Sequence, residues 1–341
     1  MKKILLTGCI ILSLFSVKGQ DINFSQFYEL PLLRNPALAG LYYGDFRATA
    51  AMRSQWASVS NMPYQTQALG TELKFALSQH SNDYLALGLQ LTNDIAGDSR
   101  LGKTQLLPVV TFHKSLNPDN DSYISLGFIG GAVQQRFDPS KLKFDDQFVN
   151  GAYSPTNPTQ QTFSNTNVTY WDASVGMLYS NMVGGNVKVY VGASYFHLTK
   201  PRVAFSPQND IVLNEKIVIN GGLSAPMSDE NDLILYADYF TQGGNSQAQG
   251  GFMFRHDLYQ YDENEAISIS AGSFIRWNDA VVPVIKFDHY TWGIGLTYDV
   301  NISKLKTASQ MRGGFEVTLQ YHNFLNMRNS SASAVRCPVA F

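Results

Sequence analysis

Apolar and polar residues take turns along much of this chain. In residues 85–92 every odd position is leucine and every even position is small or polar. Residues 290–301 and 315–322 repeat the pattern, with an aromatic or aliphatic side chain at every second position. A period of two with one apolar face and one small or polar face is typical of a β-strand that faces lipid.

About fourteen segments follow this pattern, an even number as bacterial outer-membrane barrels require. They are residues 45–56, 64–78, 83–93, 101–113, 121–134, 169–180, 186–199, 214–224, 231–241, 246–256, 264–276, 280–288, 290–302 and 312–324. No run after Gln20 approaches the 18 apolar residues of a membrane helix. In lipid, a closed barrel is the one non-helical way to pair every backbone group. The sequence therefore predicts an all-β fold, a transmembrane antiparallel β-barrel of about 14 strands.

Charged residues on the first strands indicate which face is the lumen. An arginine at mid-bilayer on the lipid face costs roughly 2–4 kcal/mol, so we expect the charged face to point inward. We expect Arg53, Gln55 and Trp56 to form a lumenal hydrogen-bond cluster that holds the N-terminal segment, since buried charge usually finds a partner. Contact with a partner protein is the alternative interpretation of these three residues. The candidate lumenal residues are Arg47, Arg53, Gln55, Trp56, Glu72 and Lys74.

The connections between segments differ in length in a regular way. If both barrel ends are periplasmic, the connections after odd-numbered strands lie outside the cell and are the long ones. The longest, 135–168, follows the fifth segment, 200–213 follows the seventh, and 303–311 follows the thirteenth. Loops on a rigid scaffold often carry function. The candidate partner-contact residues in these loops are Phe144, Asp146, Gln147, His197 and Pro201. For His197, which lies near the outer end of a strand, we favour capping of its loop over binding.

The first residues predict export. Lys2 and Lys3 precede an apolar stretch over residues 4–17, and Gly19 offers a small residue for cleavage. The stretch is shorter than the roughly 20 apolar residues of a membrane helix. A second interpretation takes residues 6–9 as a lipoprotein box with Cys9 lipidated, but most of an apolar run would then follow the cut.

The chain divides into four predicted parts. They are a signal peptide (1–19), an N-terminal plug or lumenal segment (20–44), an outer-membrane β-barrel (45–324) and a C-terminal periplasmic tail (325–341). Pro31 and Pro36 disfavour a central strand in the second part. After signal removal Cys337 is the only cysteine, so we expect no internal disulfide.

Composition excludes several classes of function. The chain has 25 Lys and Arg against 27 Asp and Glu, which argues against a nucleic-acid partner held by phosphate contacts. Charged residues make up 15%, below the roughly 25% usual in soluble domains. The six histidines never stand at His-x-x-x-His spacing, and no glycine-rich phosphate loop opens a helix. We therefore expect neither metal nor cofactor, and no enzyme activity.

Several motifs, in order along the chain, resemble those of the PorP/SprF family of type IX secretion system outer-membrane proteins. Each motif alone is weak, and their order and spacing make the resemblance. The motifs are residues 24–28 (Phe-Ser-Gln-Phe-Tyr), 35–40 (Asn-Pro-Ala-Leu-Ala-Gly), 53–56 (Arg-Ser-Gln-Trp), 142–148 (Leu-Lys-Phe-Asp-Asp-Gln-Phe), 170–172 (Tyr-Trp-Asp), 192–201 (Gly-Ala-Ser-Tyr-Phe-His-Leu-Thr-Lys-Pro), 283–288 (Pro-Val-Ile-Lys-Phe-Asp), 298–301 (Tyr-Asp-Val-Asn) and 337–341 (Cys-Pro-Val-Ala-Phe).

The resemblance implies an accessory of protein secretion and gliding motility. Its expected partners are outer-membrane lipid, a secreted adhesin-like cargo protein, and periplasmic or motor components of the type IX secretion system. Two other functions stay open: a transporter or porin for small or apolar solutes, because about fourteen strands enclose a wide lumen, and a hydrolase, which would need a nucleophile beside a base. No nucleophile motif surrounds Ser174 or Ser194.

Overall fold

The computed structural model describes residues 21–59, 62–77, 82–117, 121–149, 151–206, 210–260, 266–304 and 306–325. The predicted signal peptide and residues 326–341 of the predicted tail lie outside this range. Among the described residues, no helix combines the length and the apolar character that crossing a membrane requires.

Strands make up most of the described chain. Three short 3-10 turns come first, at Phe27–Glu29, Pro31–Leu33 and Pro36–Leu38; others lie at Pro139–Lys141 and Asp145–Gln147, and one α-helical turn at Lys306–Ser309. The strands are β1 (Phe46–Gln55), β2 (Tyr64–Ala76), β3 (Tyr84–Ala96), β4 (Leu101–Asn117), β5 (Ser122–Arg136), β6 (Phe148–Val149), β7 (Ala152–Tyr153), β8 (Asn167–Val183), β9 (Val187–Phe196), β10 (Lys216–Ser228), β11 (Asn231–Gln242), β12 (Asn245–Gln260), β13 (Ala266–Arg276), β14 (Ala280–His289), β15 (Trp292–Asn301) and β16 (Arg312–Asn323).

All of these strands except β6 and β7 form one closed antiparallel barrel. Each strand pairs with its neighbours in the chain, and β1 closes the ring by pairing with β16, with Phe46 opposite Asn323. In the described residues this makes fourteen barrel strands, so the predicted fold and strand number are confirmed. β6 and β7 form a separate hairpin inside the connection after β5, which the sequence analysis treated as plain loop.

The predicted alternation separates the two faces of the barrel wall. On β16, Phe315 and Leu319 are 48% and 43% exposed on the outer face, whereas Glu316 and Thr318 are 1% and 2% exposed inside. Large aromatic side chains also lie on the outer face, among them Trp171 and Trp277, which are 73% and 68% exposed. A wall with an apolar outside and a polar inside satisfies lipid and lumen together.

The two ends of the barrel differ. The end that carries the connections 137–166, 197–215 and 302–311 is called the long-loop end. The opposite end, where β1 begins and β16 finishes, is called the terminal end. The buried apolar clusters combine residues 24–41 with inward-facing wall residues, so the core of this protein lies inside the lumen.

Candidate functional site

Residues 21–45, called the N-terminal segment below, run through the lumen from one end to the other. At the long-loop end, the backbone N of Asp21 donates to Gln242 Oε1 at 2.9 Å. At the terminal end, the backbone N of Asp45 donates to the carbonyl of Asn323 at 2.9 Å. The segment therefore contacts wall residues along the height of the barrel.

Local sequence chemistry explains the turns of this segment. Pro31 and Pro36 stand at the first positions of the second and third 3-10 turns, where the missing N–H of proline costs no hydrogen bond. The Asn35 side chain caps the third turn, because its Oδ1 accepts from the backbone N of Ala37 at 2.9 Å. The segment is thus shaped by its own residues before it meets the wall.

Asn35 also fixes the segment to the wall. Its Nδ2 donates to the carbonyl of Met177 at 3.1 Å and to Asn220 Oδ1 at 3.0 Å. On the facing strands, a Cβ at Gly176 would overlap the amide oxygen of Asn35, and one at Gly192 would lie 2.7 Å from its Nδ2. Glycine is needed at these wall positions because the segment approaches the backbone closely.

A charged cluster holds the first part of the segment. Arg53 donates through Nη1 to the carbonyl of Asn23 at 2.6 Å and through Nη2 to Asp299 at 2.7 Å. The backbone N of Ser25 donates to Glu316 at 2.8 Å, and the Ser25 Oγ donates to Asp299 at 2.5 Å. Charge-assisted bonds of this kind are shorter and stronger than neutral ones.

A buried ion pair and an aromatic group hold the middle. Arg34 donates to both carboxylate oxygens of Asp238, at 2.8 and 2.5 Å, with side chains 6% and 2% exposed. Burial by itself would lower the pKa of Arg34, but the Asp238 carboxylate outweighs it and raises that pKa above its ordinary value. Nearby, the Tyr28 ring stacks on Tyr236 at 5.1 Å between centroids.

Three of the predicted lumenal residues hold the last part. Glu72 accepts from Arg47 at 2.6 Å and from the backbone N of Gly40 at 2.9 Å. The ammonium of Lys74 donates to the carbonyl of Tyr42 at 2.7 Å, and Lys74 is fully buried. The structure therefore brings Arg47, Glu72 and Lys74 together around residues 40–45.

The other predicted lumenal residues separate. Arg53 joins the charged cluster described above, but Gln55 forms no side-chain hydrogen bond to the segment within the described ranges. Trp56 is half-buried, and its ring centroid lies 5.2 Å from that of Tyr64, which is 39% exposed.

Asp21 is clamped at the long-loop end. Its carboxylate contacts Lys103 at 2.7 Å and His197 Nε2 at 3.0 Å, while His197 Nδ1 lies 2.6 Å from Asp172. Burial alone would raise the pKa of Asp21, but Lys103 and His197 hold it well below its usual range. Burial alone would lower the pKa of His197, but the bonds from Asp172 and Asp21 raise it to about 8.

The five predicted loop residues are less exposed than expected. His197 is 2% exposed and Pro201 is also buried, so neither offers its side chain to an external partner. Asp146 and Gln147 bond within their own loop: Asp146 accepts from the backbone N of Gln160 at 2.6 Å, and Gln147 donates to the carbonyl of Asn157 at 3.2 Å. Phe144 lies 5.9 Å from the ring of Phe163.

Two important wall residues were missed by the sequence analysis. His113, treated there as one of several scattered histidines, lies 2.7 Å from the carbonyl of Ala39 through Nε2. Asp238 interrupts the apolar residues 233–240, and a charge at that position is expected to face the lumen for the same reason as Arg47. The sequence could not show which residues of the segment bind His113 and Asp238, because each of these wall residues lies far along the chain from its partner.

The polar residues of this site bind the N-terminal segment to the barrel wall. The arginine, lysine, aspartate and glutamate side chains described above bind each other or the backbone of the segment. No group of three or more His, Cys, Asp or Glu able to hold a metal ion occurs in the part of the chain that the structure describes.

The sequence matches a family model described as type IX secretion system membrane protein PorP/SprF over residues 16–321. The chain belongs to this family. Comparison with curated proteins gives no match. The predicted resemblance is confirmed, and the PorP/SprF barrel is an outer-membrane protein.

Solved barrels are similar in fold to this PorP/SprF protein. A FadL homologue from Pseudomonas aeruginosa has a TM-score of 0.50 at 8% identity, covering 84% of this chain and 92% of that chain. The toluene transporter TbuX from Ralstonia pickettii has a TM-score of 0.45 at 10% identity, covering 86% of this chain and 93% of that chain. At these identities the likeness concerns the fold alone.

Proposed function

We propose that this PorP/SprF protein is a non-enzymatic accessory of type IX secretion whose lumen is plugged by residues 21–45. It assists the secretion or surface attachment of an adhesin-like cargo through contacts at its two ends. The observation that carries the proposal is the seating of the N-terminal segment, which meets the wall through Asp21, Arg34 and Gly40 at three successive heights.

A seated segment favours a binding scaffold over a conduit. Six or more charge-assisted bonds to the wall would have to break together before the segment could leave, and several of their partners are nearly inaccessible to water. Uncompensated buried charge is costly, so such a plug resists displacement. Contact with cargo and with periplasmic or motor components would then take place on the loops and at the terminal end, in line with family membership.

The test combines conduction with secretion. The purified barrel is placed in planar bilayers, and in parallel a strain that lacks the protein is complemented with wild type or with a variant deleted for residues 21–41. We expect wild type to be non-conducting and to restore cargo secretion, and the deleted barrel to conduct. Steady conductance or solute uptake by wild type, without cargo co-purification, would favour the alternative function, a transporter or porin for small or apolar solutes.

A further inference from the structure

A polar cavity of about 260 Å³ lies at the terminal end, between the N-terminal segment and the wall. Its lining comes from Arg47 of β1, Lys188 of β9, strands β11 to β14 and β16, Tyr290, and four aromatic or acidic residues of the segment, Tyr28, Glu29, Tyr42 and Tyr43. One water occupies roughly 30 Å³ of liquid, so the cavity has room for a group of several heavy atoms.

Two buried hydroxyls in this cavity lack a partner. Tyr28 is 8% exposed and Ser268 is 0% exposed. Within the described residues, neither the Tyr28 hydroxyl nor Ser268 Oγ has a hydrogen-bond partner. Buried polar side-chain atoms are nearly always bonded, so each such exception requires an explanation.

The charges around the hydroxyls select the ligand. Strand register places Ser268 directly opposite both Asp257 and Asp288. The basic residues that line the cavity are already engaged. Lys286 contacts Glu29 at 2.7 Å and Asp288 at 3.5 Å, and Arg255 contacts Asp257 at 2.8 Å. Arg47 is paired with Glu72 at 2.6 Å, and Lys188 also has an interaction of its own. A carboxylate has about four lone-pair sites, so these acids keep spare acceptor capacity. An anion beside Ser268 would be repelled by the two carboxylates, whereas a cationic donor could donate hydrogen bonds to both of them.

We propose that this cavity binds a basic side chain, a lysine ammonium or an arginine guanidinium, carried on an extended peptide of a partner that reaches the barrel from its terminal end. The ammonium would donate to the spare oxygens of Asp257 and Asp288 and to the hydroxyls of Tyr28 and Ser268. The site requires only the closed barrel with its seated segment, and it stands independently of any cargo role.

The experiment measures peptide binding to the full-length barrel in detergent micelles by fluorescence anisotropy. The probe is a fluorescein-labelled peptide of glycine and serine with one central lysine, and its matched controls carry norleucine or glutamate at that position. We expect the lysine peptide to bind at least tenfold more tightly than the norleucine peptide, because the two side chains differ chiefly in charge. Equal binding of the three peptides, or preference for glutamate, would overturn the proposal.

Variants locate the binding. Ser268→Ala removes a hydroxyl that has no partner, so we expect an unchanged melting midpoint but three- to tenfold weaker binding of the lysine peptide. Asp257→Asn should weaken it by a similar or larger factor, while Asp210→Asn, on an exposed side chain beyond the long-loop end, should leave it unchanged. Unaltered binding in both Ser268→Ala and Asp257→Asn would refute this location. Putrescine competing as well as the peptide would refute the peptide as source.

Discussion

Replacing Asp238 with alanine tests whether the ion pair with Arg34 keeps the segment in the lumen. The substitution leaves a guanidinium that is buried to 6% exposure without its counterion. Breaking a buried pair by removing one partner typically costs about 3–5 kcal/mol. At about 1.4 kcal/mol per factor of ten, the unseated population of the segment should rise by about two to three and a half orders of magnitude.

Trypsin provides the assay, because the bond after Arg34 is hidden while the segment is seated. When opening and reclosing are fast relative to cleavage, the cleavage rate follows the population of the open form. We therefore expect cleavage after Arg34, followed by mass spectrometry, to accelerate at least a hundredfold in Asp238→Ala. The raised pKa of Arg34 keeps its guanidinium charged between pH 5 and 9, so we expect the acceleration to be the same across that range.

Two control variants test whether the effect of Asp238→Ala comes from the unpaired buried charge. The double variant Arg34→Leu/Asp238→Leu removes both charges and should recover much of the lost stability, as replaced buried pairs often do; its unseating is read from bilayer conductance, since the tryptic site is gone. Glu215→Ala removes an exposed pair with Lys200 at 3.2 Å and should change nothing measurable. If Asp238→Ala keeps the wild-type cleavage rate with an intact barrel, the pair does not hold the segment and the reasoning fails.

Two further predictions concern the clamp and the close approach. The pKa of His197 is raised from the usual 6.5 to about 8, so the stability contributed by the protonated imidazole is full below about pH 6.5 and is lost as pH rises through about 8. The melting midpoint of wild type should fall over that interval, and that of His197→Asn should stay constant. Parallel curves for the two proteins would contradict the role of His197 in holding Asp21. Gly176→Ala places a methyl against Asn35 and should lower the free energy of unfolding by about 1–3 kcal/mol through overpacking. The matched control in the same denaturation series is Gly221→Ala, whose Cβ would meet its nearest neighbour at an ordinary 3.4 Å. Equal midpoints for the two variants would contradict the close approach of Asn35 to Gly176.

The barrel itself could be predicted from sequence. Each strand needs only to alternate between lipid and lumen, a pattern of period two that is written locally along the chain. Hence the strand number was correct. The same alternation predicts the inner face for Arg47, Glu72 and Lys74, three residues that contact one another or the segment around residues 40–45. The predicted connections were also correct in outline, although the β6–β7 hairpin was missed because two-residue strands carry no recognisable period.

What fills the lumen was decided by tertiary structure. The sequence marks residues 21–44 as unlikely strand, but nothing local says that Asp21 reaches His197 or that Arg34 reaches Asp238, because those partners are separated by 176 and 204 positions. Whether a charged side chain on the inner face is bare, hydrated or bonded depends on which group lies opposite after the ring closes. Closing the ring brings those groups together. Only the closed barrel therefore determines which buried charges pair, where glycine is required by close approach, and which hydroxyls stay without a partner.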